Sequence, residues 1–260
     1  SAATTIGNPQ NILVAQSLGL SFGPFLLWTI VPVLLALHLA FGIVWLLSRR
    51  KLRLASTKVS AAQPADMPKP SKPQIIKGLI ATVIMVGLFF SPLPHELAAL
   101  AAAGIVLFSR KVPSRDLLAR VDWSLIVLFC SLFVVVSALS NTGLPKEAVS
   151  AMNANGIELE SPYTLSLVAV VLGNLISNVP AVMLLLQLEP ITSTTTGYAL
   201  AVASTFSGNL ILMGSIANLI VAEQAKRCGL ELGFREFARY GIVTTVLSIL
   251  LLMGWIALMS

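Results

Sequence analysis

Apolar residues run along this chain in long blocks, and short polar stretches rich in basic side chains separate them. The blocks at 23–47, 75–91, 95–109, 123–140 and 240–259 read as helices, the second and third joined tightly through Pro92-Leu93-Pro94. Most approach the roughly 20 residues that cross a hydrocarbon core of about 30 Å. Two further blocks are apolar but interrupted. Residues 163–188 are broken at Ser177-Asn178-Val179-Pro180, and residues 198–225 are broken between Ser207 and Asn218. The stretch before Gly23 reads as half a helix following Ile6–Asn11.

Composition narrows the class. The chain is 56% hydrophobic and 11% charged, against about 25% charged for a soluble domain, so water could not solvate its surface. The expected fold class is an all-α polytopic membrane protein. The net charge of +6 does not point to nucleic acid, because the basic residues lie between apolar blocks and form no stripe with aromatics. Cys130 and Cys228 form no C-x-x-C pair, so neither a disulfide framework nor a zinc site is signalled. Cys130, inside an apolar run, reads as a small core residue. No set of His, Asp, Glu or Cys clusters as a metal or acid–base site, which argues against a membrane enzyme. No cofactor is expected beyond a coupling ion, Na⁺ or H⁺.

Charge sets the orientation. Sixteen of the seventeen basic residues fall in or beside three segments, 49–74, 110–122 and 226–239, which the positive-inside rule places in the cytoplasm. Only Lys146 stands apart, near Glu147, Glu158 and Glu160. All three segments reach the inner side only if 163–188 enters and leaves on the outer face as a re-entrant hairpin. The Pro-rich stretch 49–74 reads as a linker, and Glu231–Arg239 as an amphipathic piece along the inner surface.

A self-match divides the chain. Ile6-Gly7-Asn8-Pro9-Gln10-Asn11-Ile12-Leu13-Val14-Ala15-Gln16 aligns without gaps to Met213-Gly214-Ser215-Ile216-Ala217-Asn218-Leu219-Ile220-Val221-Ala222-Glu223, with Gly, Asn, Val and Ala coinciding. The charge pattern runs the first copy outward and the second inward, which is an inverted-topology repeat. Residues 1–48 then close a first repeat (a broken helix plus one span), 49–74 link, and 75–260 form the second. By that symmetry the partner of the 163–188 hairpin would lie upstream of Ser1, with about 140 residues expected there.

Polar backbone at membrane depth is tolerated where it is buried in protein or lines a cavity. The breaks therefore supply the candidate substrate and ion site: Thr5, Gly7, Asn8, Pro9, Asn11, Ser177, Asn178, Pro180, Gly208, Asn209, Gly214, Ser215 and Asn218. Glycine allows close backbone approach, proline frees a carbonyl, and Asn and Ser add short neutral donors and acceptors. Unwound carbonyls suit a hard cation, while N–H groups at half-helix starts suit an anion. Elsewhere, His38 reads as satisfied between helices, His95 and Glu96 as helix-start residues, and Asp122 as the start signal of the helix after it. Glu189 closes the hairpin, Glu223 replaces Gln16 in the repeat, and Trp28, Trp45, Trp123 and Trp255 read as interfacial anchors.

These breaks, with Val121-Asp122-Trp123 opening and Asn141-Thr142-Gly143 closing one helix, resemble the signatures of the ion transporter superfamily. The closest branch is the arsenite permease and sodium–proton antiporter D-type group; the divalent anion–sodium symporters are more distant. The resemblance implies a secondary carrier working by alternating access across an inner membrane, with Asn8, Asn11, Ser177, Asn178, Ser215 and Asn218 lining its site. A small inorganic or metalloid anion, as in arsenite-type efflux, is the expected substrate. A Na⁺/H⁺ antiporter, a sodium-coupled dicarboxylate or sulfate symporter, and a passive channel or accessory subunit are the alternatives. The distant carriers suggest a homodimer. In the nearer group the first hairpin often carries an Asn-Asp pair, which would fall upstream of Ser1. Cysteine is missing from every motif, so a metalloid would be held by hydroxyl and amide groups rather than by thiolates.

Overall fold

The computed structural model describes residues 1–55, 72–91, 93–107, 115, 118–119, 121–156, 158–188, 191–227, 230 and 232–259. Those residues form α1 (Pro9–Leu18), α2 (Phe22–Ala55), α3 (Lys72–Phe89), α4 (His95–Leu107), α5 (Trp123–Asn141), α6 (Leu144–Ala154), α7 (Pro162–Ile176), α8 (Asn178–Leu188), α9 (Thr194–Ser207), α10 (Ile216–Arg227) and α11 (Phe234–Met259), with a single 3-10 turn at Leu212–Gly214. The chain divides into two compact units, 1–51 with 131–260, and 52–130.

Three helices among the described residues are long and apolar enough to cross a membrane: Phe22–Arg49, Trp123–Asn141 and Phe234–Met259. At 1.5 Å per residue α7, α8 and α9 reach only about 22, 16 and 21 Å, short of a 30 Å core. These short helices are nevertheless the most enclosed part of the larger unit. In α8 every residue from Asn178 to Leu185 is buried, and in α9 Ala199, Leu200, Ala201, Val202 and Ala203 are fully buried. Small side chains make that possible, because they let neighbouring backbones close in. Gly197 shows the limit: a Cβ there would stand 2.5 Å from Leu18 Cδ1 of α1. Since Asn8 at the other end of α1 bonds Thr205, α1 runs antiparallel along α9.

The outer helices fasten to this centre through aromatics. Tyr198 of α9 meets Phe25 edge-on at 5.4 Å and Trp28 at 5.5 Å, and the Trp255 indole N–H donates to the Trp28 carbonyl at 3.1 Å. Trp28 is thus a core residue tying α2 to α9 and α11, not an interfacial anchor; Trp45 and Trp123 are exposed, as anchors would be. In the smaller unit α3 packs on α4, and His95 stacks on Phe89 at 5.4 Å.

Local chemistry explains several boundaries. Asp122 accepts from Leu125 N–H at 3.2 Å and starts α5, as its position suggested. Ser193 caps α9 by accepting from Thr196 N–H. Other expectations change. Helix α2 continues through the basic Arg49–Arg53 stretch instead of ending before it. The piece read as a surface helix joins α11 directly from Phe234, there being no breaker between 234 and 240. Residues 144–154, between the apolar blocks, form α6, opened by Pro145 in its first turn. Cys130 is exposed on α5, not in the core, and His38 bonds its own helix at Leu34 O (2.7 Å) instead of a neighbour. Residues 56–71 of the linker, Glu189, Pro190 and Cys228 lie outside the described residues.

Replacing Gly197 with valine should force Leu18 out of its place at a cost of about 1–3 kcal/mol. A drop of several degrees in the melting temperature of the purified full-length protein, followed by tryptophan fluorescence, is the expected outcome; an unchanged melt would show that α1 does not pack there.

Candidate functional site

Helices interrupted away from water leave carbonyls at one end and N–H groups at the other. In the larger unit five such ends come together. The C-terminal ends of α7 and α9 meet the N-terminal ends of α1, α8 and α10, and one side chain from each of α7, α8 and α10, plus the residue capping α1, reaches the last turn of α9.

Asn8 caps α1. Its Oδ1 accepts from Asn11 N–H at 2.8 Å, and its Nδ2 donates to Thr205 Oγ1 at 2.8 Å. Asn178, in the first turn of α8, accepts from Ser207 Oγ at 2.8 Å. Asn218, in the first turn of α10, donates to the Gly208 carbonyl at 2.6 Å. Asn174 of α7 donates to the carbonyls of Val170 at 2.9 Å and Ser207 at 3.1 Å. Four asparagines therefore satisfy positions 205, 207 and 208. Asn serves here because its short amide both donates and accepts without the cost of burying a charge.

The remaining predicted residues sit around this cluster. Pro9 opens α1 where its missing N–H is no loss, and Gly7 N–H closes a turn on Thr4 O at 3.1 Å. Asn11 is fully buried, with Nδ2 on the carbonyls of Thr4 (2.8 Å) and Ser1 (3.3 Å) and its Oδ1 without a protein partner. Thr5 is also buried with its hydroxyl unpaired. Ser177 alone separates α7 from α8 and holds φ 77°, ψ 154°, the one positive φ outside glycine among the described residues. Pro180 is buried in the first turn of α8. Gly208 lies where a Cβ would come within 2.9 Å of Asn178 Nδ2 and 3.0 Å of Ser215 Cβ. Asn209 presents its carbonyl to Gly241 of α11, and Gly214 ends the 3-10 turn.

The two copies of the self-match start helices at equivalent positions, Pro9 and Ile216. Asn8 and Ser215 are both extended, at φ −158° and −145°. The closures differ: Asn8 caps with its side chain, whereas in the second copy the Ser215 carbonyl accepts from Asn218 N–H at 3.1 Å.

Sequence reasoning passed over Asn174, Thr205 and Gly173, whose missing Cβ leaves room for Asn178 Oδ1 (2.6 Å from the Cβ position) and Ser207 Oγ (2.8 Å). A signal was present. Gly173-Asn174-Leu175-Ile176 and Gly208-Asn209-Leu210-Ile211 are identical tetrapeptides, and a third Gly-Asn pair stands at Gly7-Asn8. Gly7-Asn8 and Gly208-Asn209 lie at breaks, and Gly173-Asn174 lies in the last turn of α7 before one.

The side chains that bond at this junction are amides and hydroxyls. Among the described residues, no group of three or more His, Cys, Asp or Glu gathers as a metal site. Each helix N-terminus carries about half a positive charge and each C-terminus about half a negative one, so three starts against two ends leave a modest positive excess.

Comparison with known proteins extends the reading. Residues 1–192 match the family model described as "Citrate transporter" (CitMHS). The chain is 29% identical over 275 residues to the "46 kDa membrane protein" of Mycobacterium leprae, covering 96% of this chain and 62% of that protein. It is 33% identical over 181 residues to the "Putative transporter arsB" of Dictyostelium discoideum, covering 66% of this chain and 32% of that protein. Against the "Silicon efflux transporter LSI3" of Oryza sativa subsp. japonica the identity is 37% over 142 residues, covering 50% of this chain and 29% of that protein. The chain thus spans about three-fifths of the length of full-length relatives such as the M. leprae protein, 62%.

Ser177 occupies a region of backbone space that is essentially glycine's own, at a cost of about 1–3 kcal/mol. Ser177→Gly should therefore raise the melting temperature, while Ser177→Ala should not. If Ser177→Gly melts at or below the unmodified protein, the backbone at the α7–α8 junction is not strained as described.

Proposed function

The chain belongs to the citrate transporter family, a family of membrane transporters, and from that membership we propose that it forms the larger part of a secondary active carrier for a small inorganic or metalloid oxyanion or its conjugate acid. One observation carries the reading: five interrupted helix ends, three of them N-terminal, meet around neutral Asn, Ser and Thr side chains. Helix starts favour negative charge or electron-rich oxygen, and amides and hydroxyls recognise oxyacids without titrating. The relatives named as an arsB transporter and a silicon efflux transporter carry names that fit such a substrate.

The self-match gives the motion its basis. An inverted repeat placing Gly7–Asn11 and Gly214–Asn218 on opposite sides of one site would let the cluster face either side in turn. In this reading α7 and α8 form a re-entrant hairpin. Segments 49–74, 110–122 and 226–239 face the cytoplasm of a cell with an inner membrane, and Na⁺ or H⁺ supplies the drive. The family's description as citrate transporters favours a second reading, a carboxylate symporter, whose anionic groups the same helix starts would attract.

The full-length protein in everted membrane vesicles with an imposed proton gradient tests this. Arsenite should discharge the gradient or accumulate, with sulfate, citrate, Na⁺ and Li⁺ run alongside. A response to Na⁺ or Li⁺ alone would make the protein a cation antiporter, and a response to citrate alone a carboxylate carrier. Asn178→Ala or Asn218→Ala should lower transport at least about tenfold, because buried partners left unsatisfied cost about 1–3 kcal/mol, with membrane insertion unchanged. Full activity in either variant would remove the cluster from the transport path.

A further inference from the structure

Resting on the carrier reading, we propose that Asn174 is a substrate-binding residue whose Oδ1 accepts a hydrogen bond from an O–H of the cargo, so that the site selects a hydroxyl-bearing, protonated oxyacid over a donor-free anion.

The amide orientation is fixed by its surroundings. Both contacts of Asn174 Nδ2, to Val170 O and Ser207 O, are with carbonyls, which only accept. A flipped amide would set oxygen against oxygen twice, so Oδ1 points the other way. That oxygen is buried and has no protein donor. It lies at the break after α9, 3.0 Å from where a Cβ on Gly214 would stand, with the Gly208 carbonyl 3.5 Å from the same point. Asn11, in the first turn of α1, repeats the pattern: its Nδ2 is held by two carbonyls, and its Oδ1 is buried without a donor. Two amide oxygens therefore await donors, and the unpaired Thr5 hydroxyl can serve either way. A fully ionised oxyanion offers only acceptors and would leave these oxygens unsatisfied, whereas an uncharged hydroxylated acid donates to them and accepts from the helix starts.

Binding of arsenous acid, which presents O–H groups, and of sulfate, which presents none, is measured by thermal unfolding of the purified full-length protein in choline and in sodium medium. Arsenous acid should stabilise the unmodified protein. In Asn174→Ala its apparent Kd should rise about tenfold, the loss of one well-placed hydrogen bond, with any binding of sulfate unchanged. The unmodified protein supplies a second measurement should Asn174→Ala fold poorly: affinity for arsenous acid should fall as pH rises through that acid's own ionisation. No stabilisation by arsenous acid, equal losses for both probes, affinity that holds or rises with pH, or a loss that appears only as a changed sodium requirement would each overturn the proposal. If vesicles carry arsenite while Asn174→Ala binds it normally, the role of Asn174 fails and the carrier reading stands; if no solute moves, the carrier reading itself fails.

Discussion

A helix that stops inside an apolar protein exposes carbonyls at one end and N–H groups at the other, and where water cannot reach them each unmet group costs several kcal/mol. The larger unit solves this by bringing five such ends together. The last turn of α9 offers Thr205, Ser207 and Gly208, and each is met by an asparagine from a different element. An aspartate could accept but not donate, and would bring a charge into a buried place. A longer glutamine would need more room than Gly173 and Gly208 leave. The chemistry available to a ligand is thus a by-product of the chemistry that keeps the breaks folded.

The same constraint orders the rest of the architecture. Because α7, α8 and α9 are each too short to cross a bilayer alone, their meeting ends need enclosure by longer helices. The Phe25–Trp28–Tyr198–Trp255 cluster provides it by tying α2 and α11 to α9. Outward faces can then stay apolar. On α7, Leu167, Val171 and Leu175 recur every fourth residue and are 54%, 59% and 73% exposed, a stripe that suits lipid and not water.

Much of this was legible from residue order. The long helices announce themselves by apolar length. The breaks announce themselves by Gly, Asn, Ser and Pro inside apolar blocks, because a bilayer accepts irregular backbone only where protein or a cavity covers it. Partners were less visible. Nothing local distinguishes Trp28, packed against Trp255 some 227 residues away in sequence, from Trp45, which is exposed. Helix α6 hid among charged residues because its apolar face is short, and the extensions of α2 and α11 past their apolar blocks pass through 48–55 and 234–240, which hold no Gly or Pro to stop a helix. Asn174 carries no break signal of its own, since it stands inside a helical apolar run one turn before Ser177–Pro180, and only the repeated Gly-Asn-Leu-Ile tetrapeptide marks it.

Asymmetry between the two self-matching segments gives the junction its direction. Both hold an extended residue before a helix, but Asn8 spends its carbonyl-type oxygen on capping and sends its amide to Thr205, whereas Ser215 caps through the main chain. The demand for a second amide then falls to Asn218, three residues on, which reaches Gly208 instead. One half therefore grips α9 by a side-chain hydroxyl and the other by a backbone carbonyl. In both cases the donor is a side-chain amide, so the two segments differ in which acceptor of α9 they hold, a hydroxyl that itself donates to the Ala201 carbonyl or a main-chain carbonyl left open by the end of the helix.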